Sequence, residues 1–582
     1  MRSYRNLLIA LITMAGIACV LFPSPASDSP SPSESAAVSP QPLKSATPAP
    51  TLEAESKAFQ APTDTPNAPT PTPPPPSEGF SIPFGNDPLG TPEEALFAWG
   101  ANALAVEKAG SFLLFDNATR ALERYSRTGE RIDSMPLGEP IISVRDIVVA
   151  DDGSLVILDT AAIPPAVHRL SPNGNRLRSV TLPIHFAGEA THVRIGPSRA
   201  LHVVTEAARA FQVSDEMGRP LDRPKGTPGV PGQEGTWVGL PNIDWERDPH
   251  SGKITLQFPS GDPPLTIHVT VTNTLGSLWH LGPAPDGGFF LVVEEMAYDG
   301  ALQVDQTVRR YTEDGQLIGT ARVPLNEYTF ALENHLAIGP TGDVYALILK
   351  EEEMEIRRLS FEDELPPVLA RQQPALSPDP SSDASLVRTS AGAQWCRSRE
   401  AMREVCTAYL RHRQTLSNEN IDGTCARATA PRYLNGAGVY PSVPYDAGGW
   451  DSAAQFEAHM EEGYRAGDID FEHDGGLSEC SRGVDCSGLV SEAWGMSTKL
   501  FTWSIPHYSV RVNSVDDLLF GDVLNKFSSV AGHAVIFSQF GVNGLEVVHA
   551  TTYNGWDRAI ASYHTWAFFH GYELLRYRYV CR

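Results

Sequence analysis

Between residues 88 and 365 one short pattern keeps returning: a turn with glycine, an apolar strand, a basic or aromatic residue, and a second turn with glycine. It reads Ala109-Gly110-Ser111-Phe112-Leu113-Leu114 followed by Arg124-Tyr125-Ser126-Arg127-Thr128-Gly129. It returns as Asp152-Gly153-Ser154-Leu155-Val156-Ile157-Leu158 with His168-Arg169-Leu170-Ser171-Pro172-Asn173-Gly174, and as Asp286-Gly287-Gly288-Phe289-Phe290-Leu291 with Arg309-Arg310-Tyr311-Thr312-Glu313-Asp314-Gly315. Weaker copies surround Ser198 to Val203 and Thr341 to Ala346. The clear first turns stand about 43 to 45 residues apart, and a gap of about 89 leaves room for a degenerate copy near Ser251-Gly252-Lys253. A period in this range with several strands per repeat points to propeller blades. Asp151, Asp152, Asp286 and Asp314 sit in the glycine turns, where aspartate is favoured for local backbone hydrogen bonding. Turn chemistry is therefore preferred to a calcium or ligand site on one face.

The flanks have other textures. Met1 to Asn6 carries Arg2 and Arg5, and Leu7 to Phe22 is uncharged. A basic start before an apolar core is a secretory pattern, so residues 1–26 are expected to direct export. Cleavage near Pro25-Ala26, retention as an anchor, and lipidation at Cys19 all fit that segment. Residues 27–87 are dominated by Pro, Ser, Thr and Ala. They read as an extended stalk because they hold too little apolar surface to offset ordering. Residues 366–393 form a second Pro/Ser/Ala/Gln-rich stretch, expected to be a linker that lets its neighbours move relative to each other. The net charge of −25 argues against nucleic acid as a partner. A membrane is expected to be met only through the N-terminal segment.

The last part of the chain, residues 394–582, carries the chemistry. Ser398 to Leu410 keeps helical spacing through Met402, Val405, Cys406, Tyr409 and Leu410. Asp485-Cys486-Ser487-Gly488, followed by Leu489, Val490, Ala493 and Trp494, predicts a buried helix that starts at Cys486. Unpaired N–H groups at a helix start favour a thiolate. Ala534 to Phe537 reads as a buried strand entered at His533, and a further strand ends at His549. Cysteine on a helix start with histidine on a strand is an arrangement of nucleophile and base, and a polar residue on the next strand supplies the orienter. His564 and His570 are alternative orienters. Asp522, in Gly521-Asp522, is expected to fix a turn. Gly467 to Gly475 reads as a solvated acidic loop, since His473 stands where a calcium loop needs glycine.

Two resemblances follow from these residues. The repeats resemble NHL-like propellers, which implies about six blades. Asp485-Cys486-Ser487-Gly488-Leu489-Val490, Phe520-Gly521-Asp522-Val523 and Gly532-His533-Ala534-Val535, with His549 beyond, resemble an NlpC-type cysteine peptidase. That family is papain-like and cleaves peptidoglycan stem peptides without metal or organic cofactor. The resemblance implies Cys486 as nucleophile, His533 as base and His549 as orienter. Asp485 and Ser487 would flank the nucleophile on the substrate side. Val443-Pro444-Tyr445-Asp446-Ala447-Gly448-Gly449 resembles the family's Pro-Tyr-x-x-Gly-Gly segment, whose tyrosine lines the substrate cleft, so Tyr445 joins the expected site.

The fold expected is thus multidomain: an all-β propeller over 88–365, then an α+β papain-like domain over 394–582. The function expected is an exported or surface-tethered hydrolase of amide bonds in peptidoglycan peptides. Its rivals are an amidase or acyltransferase on another substrate, and a surface binding protein with an inactive hydrolase domain and a ligand-binding propeller. Seven cysteines include six in the C-terminal region. Reserving Cys486 leaves two bridges and one odd thiol as the simplest count for an exported chain. A bridge between Cys480 and Cys486 would disable the nucleophile.

Overall fold

The computed structural model describes residues 79–83, 101–369 and 396–581, apart from 118, 197, 207–208, 233–235, 246, 259–262, 326–333, 351–352, 424, 426–427, 471–478 and 528–531. The export segment 1–26, the stalk up to Glu78, most of the 366–393 linker and the acidic loop beyond Asp470 lie outside the described residues. No helix among the described residues is long and apolar enough to cross a membrane.

Residues 101–358 form six antiparallel sheets in chain order, a propeller-like succession in which consecutive strands pair. Five have four strands. The sheet spanning Val230–Thr270 has five and contains the degenerate repeat, with Gly252 inside a strand instead of a turn. The first strands Ala101–Val106, Asp146–Val149 and Ala190–Ile195 adjoin in turn, and Ala101–Val106 also lies beside Leu336–Ile338, with Leu104 N–H donating to Asn334 O at 3.0 Å. Shared apolar cores join five of the six neighbouring pairs of sheets. One core, for example, joins Leu104, Phe112 and Leu114 of the first sheet to Tyr345, Leu347 and Ile356 of the last.

The chain closes this arrangement with residues that composition had left in the stalk. Gly79–Pro83 pairs antiparallel with Glu353–Arg358 as the fourth strand of the last sheet, and Phe80 meets Phe112 of the first sheet at 5.4 Å. The start of the folded region therefore moves from residue 88 to 79. Phe80 and Ile82 supply the apolar alternation, which is too short to stand out beside a proline tract.

The repeated basic residue also has a structural explanation. Arg124, Arg169, Arg310 and Arg358, each on a third strand, reach back to Glu107, Asp152, Asp286 and Asp343 beside the first turn, at 2.6–2.9 Å. Asp152 also accepts from Ser154 N–H and Oγ, and Asp286 from Gly288 N–H. These turn carboxylates are occupied in ordering their own sheets. At the surface such pairs add little stability, so their main effect is to fix turn geometry.

Beyond the linker, helix Arg399–Arg411 starts at Ser398, whose hydroxyl accepts Ala401 N–H, and buries Met402, Cys406 and Tyr409 as its spacing predicts. A six-stranded antiparallel sheet follows. Its order is Ser509–Arg511, Glu573–Tyr577, Val523–Phe527, Gly532–Phe540, Gly544–Thr551 and Arg558–Thr565. Side chains alternate across a strand, so the sheet has two distinct faces. Ala534, Ile536, Val548, Ala550 and Ala559 pack with Leu489, Val490 and Trp494 of helix Cys486–Trp494. Val535, Phe537, Leu545, Val547 and Ile560 pack with Ala161, Ala187, Met296, Leu302 and Val304 of the propeller-like region.

The expectation that linker 366–393 leaves two freely moving units is therefore corrected. The sheet lies between its own helix and the propeller-like sheets, sharing a core with both. Buried polar contacts cross the same boundary. Trp566 Nε1 donates to Gly276 O at 3.1 Å, Trp556 Nε1 to Thr160 Oγ1 at 3.2 Å and Leu302 N to Tyr572 O at 2.8 Å. The contacting positions lie in the connections between sheets (Ala187), in those between second and third strands (Thr160, Ala161), and in the adjoining strand ends (Gly276, Met296, Leu302, Val304). The face on which a ligand might have been sought is occupied by the chain's own C-terminal region.

Candidate active site

Helix Cys486–Trp494 is delimited at both ends by its own sequence. Asp485 is the N-cap, its carboxylate accepting Gly488 N–H at 2.6 Å and Ser487 Oγ–H at 2.9 Å, and Gly495 ends the helix at φ +70°. Lys499 pairs with the second oxygen of Asp485. The helix start presses on the Tyr445 segment, where Asp485 N donates to Gly449 O at 3.1 Å. A Cβ at Gly488 would stand 2.2 Å from Gly449 O. Glycine at both positions is a requirement of this backbone approach.

Cys486 is 7% exposed, and its sulfur accepts the backbone N–H of Ala534, the residue after His533. The thiol thus sits at the entrance of strand Gly532–Phe540. His533 and His549 lie on one face of adjacent strands, with His533 Nε2 2.9 Å from His549 Nδ1. His549 Nε2 is 2.8 Å from Ser562 Oγ, which is itself 2.8 Å from His564 Nε2. Tyr445 is buried beside Cys486, and Tyr572 faces the thiol from the neighbouring strand end.

The expected residues form two groups, Cys486, Asp485 and Ser487 at the helix start with Tyr445 against it, and the bonded pair His533–His549 on the sheet, which meet at the Ala534 N–H beside His533. Of the alternative orienters, His564 shares Ser562 with His549 and meets its ring edge-on at 5.5 Å, and His570 Nδ1 accepts Val304 N–H at 3.0 Å. Lys499, Tyr572 and Ser562 were not singled out from sequence. Ser562-Tyr563-His564 has the alternation that puts two polar groups on one sheet face, and that was the available signal.

Electrostatics differ from the expected resting thiolate. Burial, with the Asp485 carboxylate adding to it, pushes the Cys486 thiol up to about 12, although the Ala534 N–H and Lys499 favour the anion. Burial, and secondarily the neighbouring His564, holds His533 down to about 3, and burial holds His549 well below the usual imidazole range. Thiol and imidazoles are neutral at rest because desolvation outweighs the helix terminus here.

Among the described residues two disulfides, Cys396–Cys581 and Cys425–Cys480, leave Cys406 and Cys486 free. Cys480 is thereby held away from Cys486. Among the described residues no group of three or more His, Cys, Asp or Glu is arranged to hold a metal ion. Asp522 is a structural anchor, since its buried carboxylate accepts from Arg399, Arg576 and Leu519 N–H.

No protein-family model matches the chain, and no curated protein matches it. Solved structures similar to it are β-propeller-like. A streptogramin B lyase is 11% identical, covering 49% of this chain and 98% of its own at a TM-score of 0.28. A DUF4221 family member from Bacteroides vulgatus is 10% identical over 50% and 98%, with a TM-score of 0.32. The calcium-binding protein regucalcin from Agrobacterium tumefaciens is 14% identical over 44% and 90%, with a TM-score of 0.27. Such likenesses say nothing about activity, ligand or mechanism.

Proposed function

We propose that the C-terminal region is a papain-like, NlpC-type cysteine hydrolase carried on a six-bladed propeller, and that it cleaves amide bonds, with peptidoglycan stem peptides as the expected substrate. The observation that carries this reading is one arrangement: a free cysteine at a capped helix start, its sulfur at the Ala534 N–H next to His533, with His533 bonded to His549 through Nε2. In that reading His533 Nδ1 takes the Cys486 proton as sulfur adds to the amide carbonyl. His533 then returns the proton to the leaving amine as the C–N bond breaks. Water, deprotonated by the same imidazole, releases the acid and restores the thiol. The Cys486 N–H at the helix start would face the developing oxyanion. Hydrolysis needs no external electron source, and both proton transfers are internal.

A neutral resting pair is compatible with this sequence, because the proton need move only as substrate replaces water around sulfur. The second reading, an inactive domain on a surface-binding protein, draws on the burial of Cys486. Digestion of purified peptidoglycan by the exported chain, with products mapped by mass, separates the two. New termini within stem peptides that disappear in Cys486→Ala and His533→Ala support the hydrolase. Unchanged wall, with cleavage of small amides by the same preparation, moves the substrate elsewhere. No cleavage of either leaves the binding protein.

A further inference from the structure

Resting on that hydrolase reading, we propose that Ser562 and His564 are positioning residues that set the tautomer of the His533 base, and that the propeller-like region holds them in place.

The argument is one of proton counting. Ser562 Oγ lies 2.8 Å from His549 Nε2 and 2.8 Å from His564 Nε2, and a hydroxyl carries one proton. With one proton on each ring, one nitrogen must accept that proton and the other must donate to the oxygen. If His564 Nε2 accepts, His549 Nε2–H donates to Ser562. His549 Nδ1 is then an acceptor and takes His533 Nε2–H across 2.9 Å. Only this direction leaves the lone pair of His533 on Nδ1, where a base for Cys486 needs it. Reversing the chain puts the proton on His533 Nδ1 and disables it. The four groups are at most 3% exposed, so water does not scramble the order.

The far end of this chain is gripped from outside its own sheet. Strand Arg558–Thr565 is the edge strand, and the propeller-like region covers it: a Cβ at Gly188 would stand 1.9 Å from Ala561 O. Arg145 donates to Tyr563 O at 3.3 Å, between Ser562 and His564. His564 stacks on Phe568 with ring centres 3.9 Å apart, and the turn that carries Phe568 is capped by Glu294, which accepts Trp566 N–H at 3.0 Å and Ala567 N–H at 3.2 Å. The base is thus oriented through contacts that another part of the chain supplies.

The test uses the full chain with nitrogen-labelled histidine, comparing wild type with Ser562→Ala, Ser562→Thr and Gly188→Ala. Wild type is expected to show His533 and His549 as Nε2–H tautomers and His564 as Nδ1–H. Ser562→Ala is expected to lose the defined His549 tautomer and to slow Cys486 alkylation by iodoacetamide about 10- to 100-fold, with a displaced pH profile. A loss of that size is typical when a partner behind a functional imidazole is removed. Ser562→Thr, which keeps the hydroxyl, should recover most of the rate, and Gly188→Ala should behave like Ser562→Ala. The proposal is overturned if wild-type His533 is the Nδ1–H tautomer. Unchanged tautomers in Ser562→Ala overturn it too, as does a threonine variant no better than alanine. Alkylation of Cys486 that proceeds alike in wild type and His533→Ala would defeat the hydrolase reading instead, while the tautomers still decide the relay.

Discussion

Glu294 offers the sharpest test of how the two regions are joined. Its carboxylate is wholly buried in strand Phe289–Asp299 and accepts from Gln306 Nε2 at 2.8 Å, Trp566 N–H at 3.0 Å and Ala567 N–H at 3.2 Å, with Ser277 Oγ 2.6 Å away. Glu294→Ala orphans the two backbone N–H groups, at about 1–3 kcal/mol each. Ser277 keeps an acceptor in Asn543 O at 2.6 Å. Relief of carboxylate desolvation, which raises the Glu294 pKa, offsets part of the loss. A net cost of about 3 kcal/mol results. Unfolding entropy is about 2.1 cal/mol/K per residue. If the whole folded chain of roughly 470 residues melts as one, that cost lowers Tm by about 3 °C. If the last ~185 residues melt separately, the drop is about 8 °C for that transition alone. Scanning calorimetry with near-ultraviolet dichroism reads both cases. Glu294→Gln keeps the volume but sets an NH2 group against a donor, and should lose about half as much. A Glu294→Ala melt within about 0.5 °C of wild type, roughly the noise of such a shift, would refute the claim that these bonds hold the interface.

Three further outcomes follow from the same coordinates. Burial raises Glu206 to about 8 at the domain boundary, where it meets Tyr563 OH and Val542 N–H, with Glu546 and Glu189 adding repulsion. The folded chain then holds a proton that the unfolded chain has already lost, so stability falls as pH rises from about 4.5 to 8. The slope reaches at most about 1.4 kcal/mol per pH unit, and urea titrations of Glu206→Gln should be flatter across that window. Asp522→Ala strands Arg399 and Arg576 and should cost about 3–5 kcal/mol by chemical denaturation; a loss under about 1 kcal/mol would show that the arginines find other partners. Replacing Cys396 and Cys581 by alanine opens a loop of 185 residues and should cost about 2–5 kcal/mol in the thermal melt, while the mass-mapped free thiols remain Cys406 and Cys486.

What sequence makes visible here is local, and what it hides is not. The repeats stand out because an acidic turn and a third-strand arginine recur at fixed offsets, as Asp152 with Arg169 and Asp286 with Arg310 do. The helix at Cys486 is legible because Asp485 caps it and Gly495 ends it within one short stretch. Gly79–Pro83 escapes notice because its sheet partner, Glu353–Arg358, lies across the entire propeller-like region. The neutral thiol escapes for a similar reason: a helix start argues for the anion, and only the packed site shows how much water is missing. The contacts at Gly188, Arg145 and Glu206 occupy connections, and Glu294 the middle of a strand, with no period at all.

Those scattered contacts bear on whether the C-terminal region can stand alone. One sheet face is covered by helix Cys486–Trp494, which belongs to the same region. The other exposes Val535, Phe537, Leu545, Val547, Ile560, Trp566, Phe568 and Phe569 once the propeller-like sheets are removed, and it is the face that carries His533 and His549. An apolar surface of that kind is an aggregation hazard, and edge strand Arg558–Thr565 would lose its cover at Ala561. Residues 394–582 expressed alone are therefore expected to be insoluble or to bind a hydrophobic dye strongly, whereas the chain from Gly79 onward should not. A soluble, sharply melting 394–582 fragment whose Cys486 reacts with iodoacetamide as in the full chain would show that the propeller-like region is a passenger. In the structure it covers the sheet face on which His533 and His549 lie.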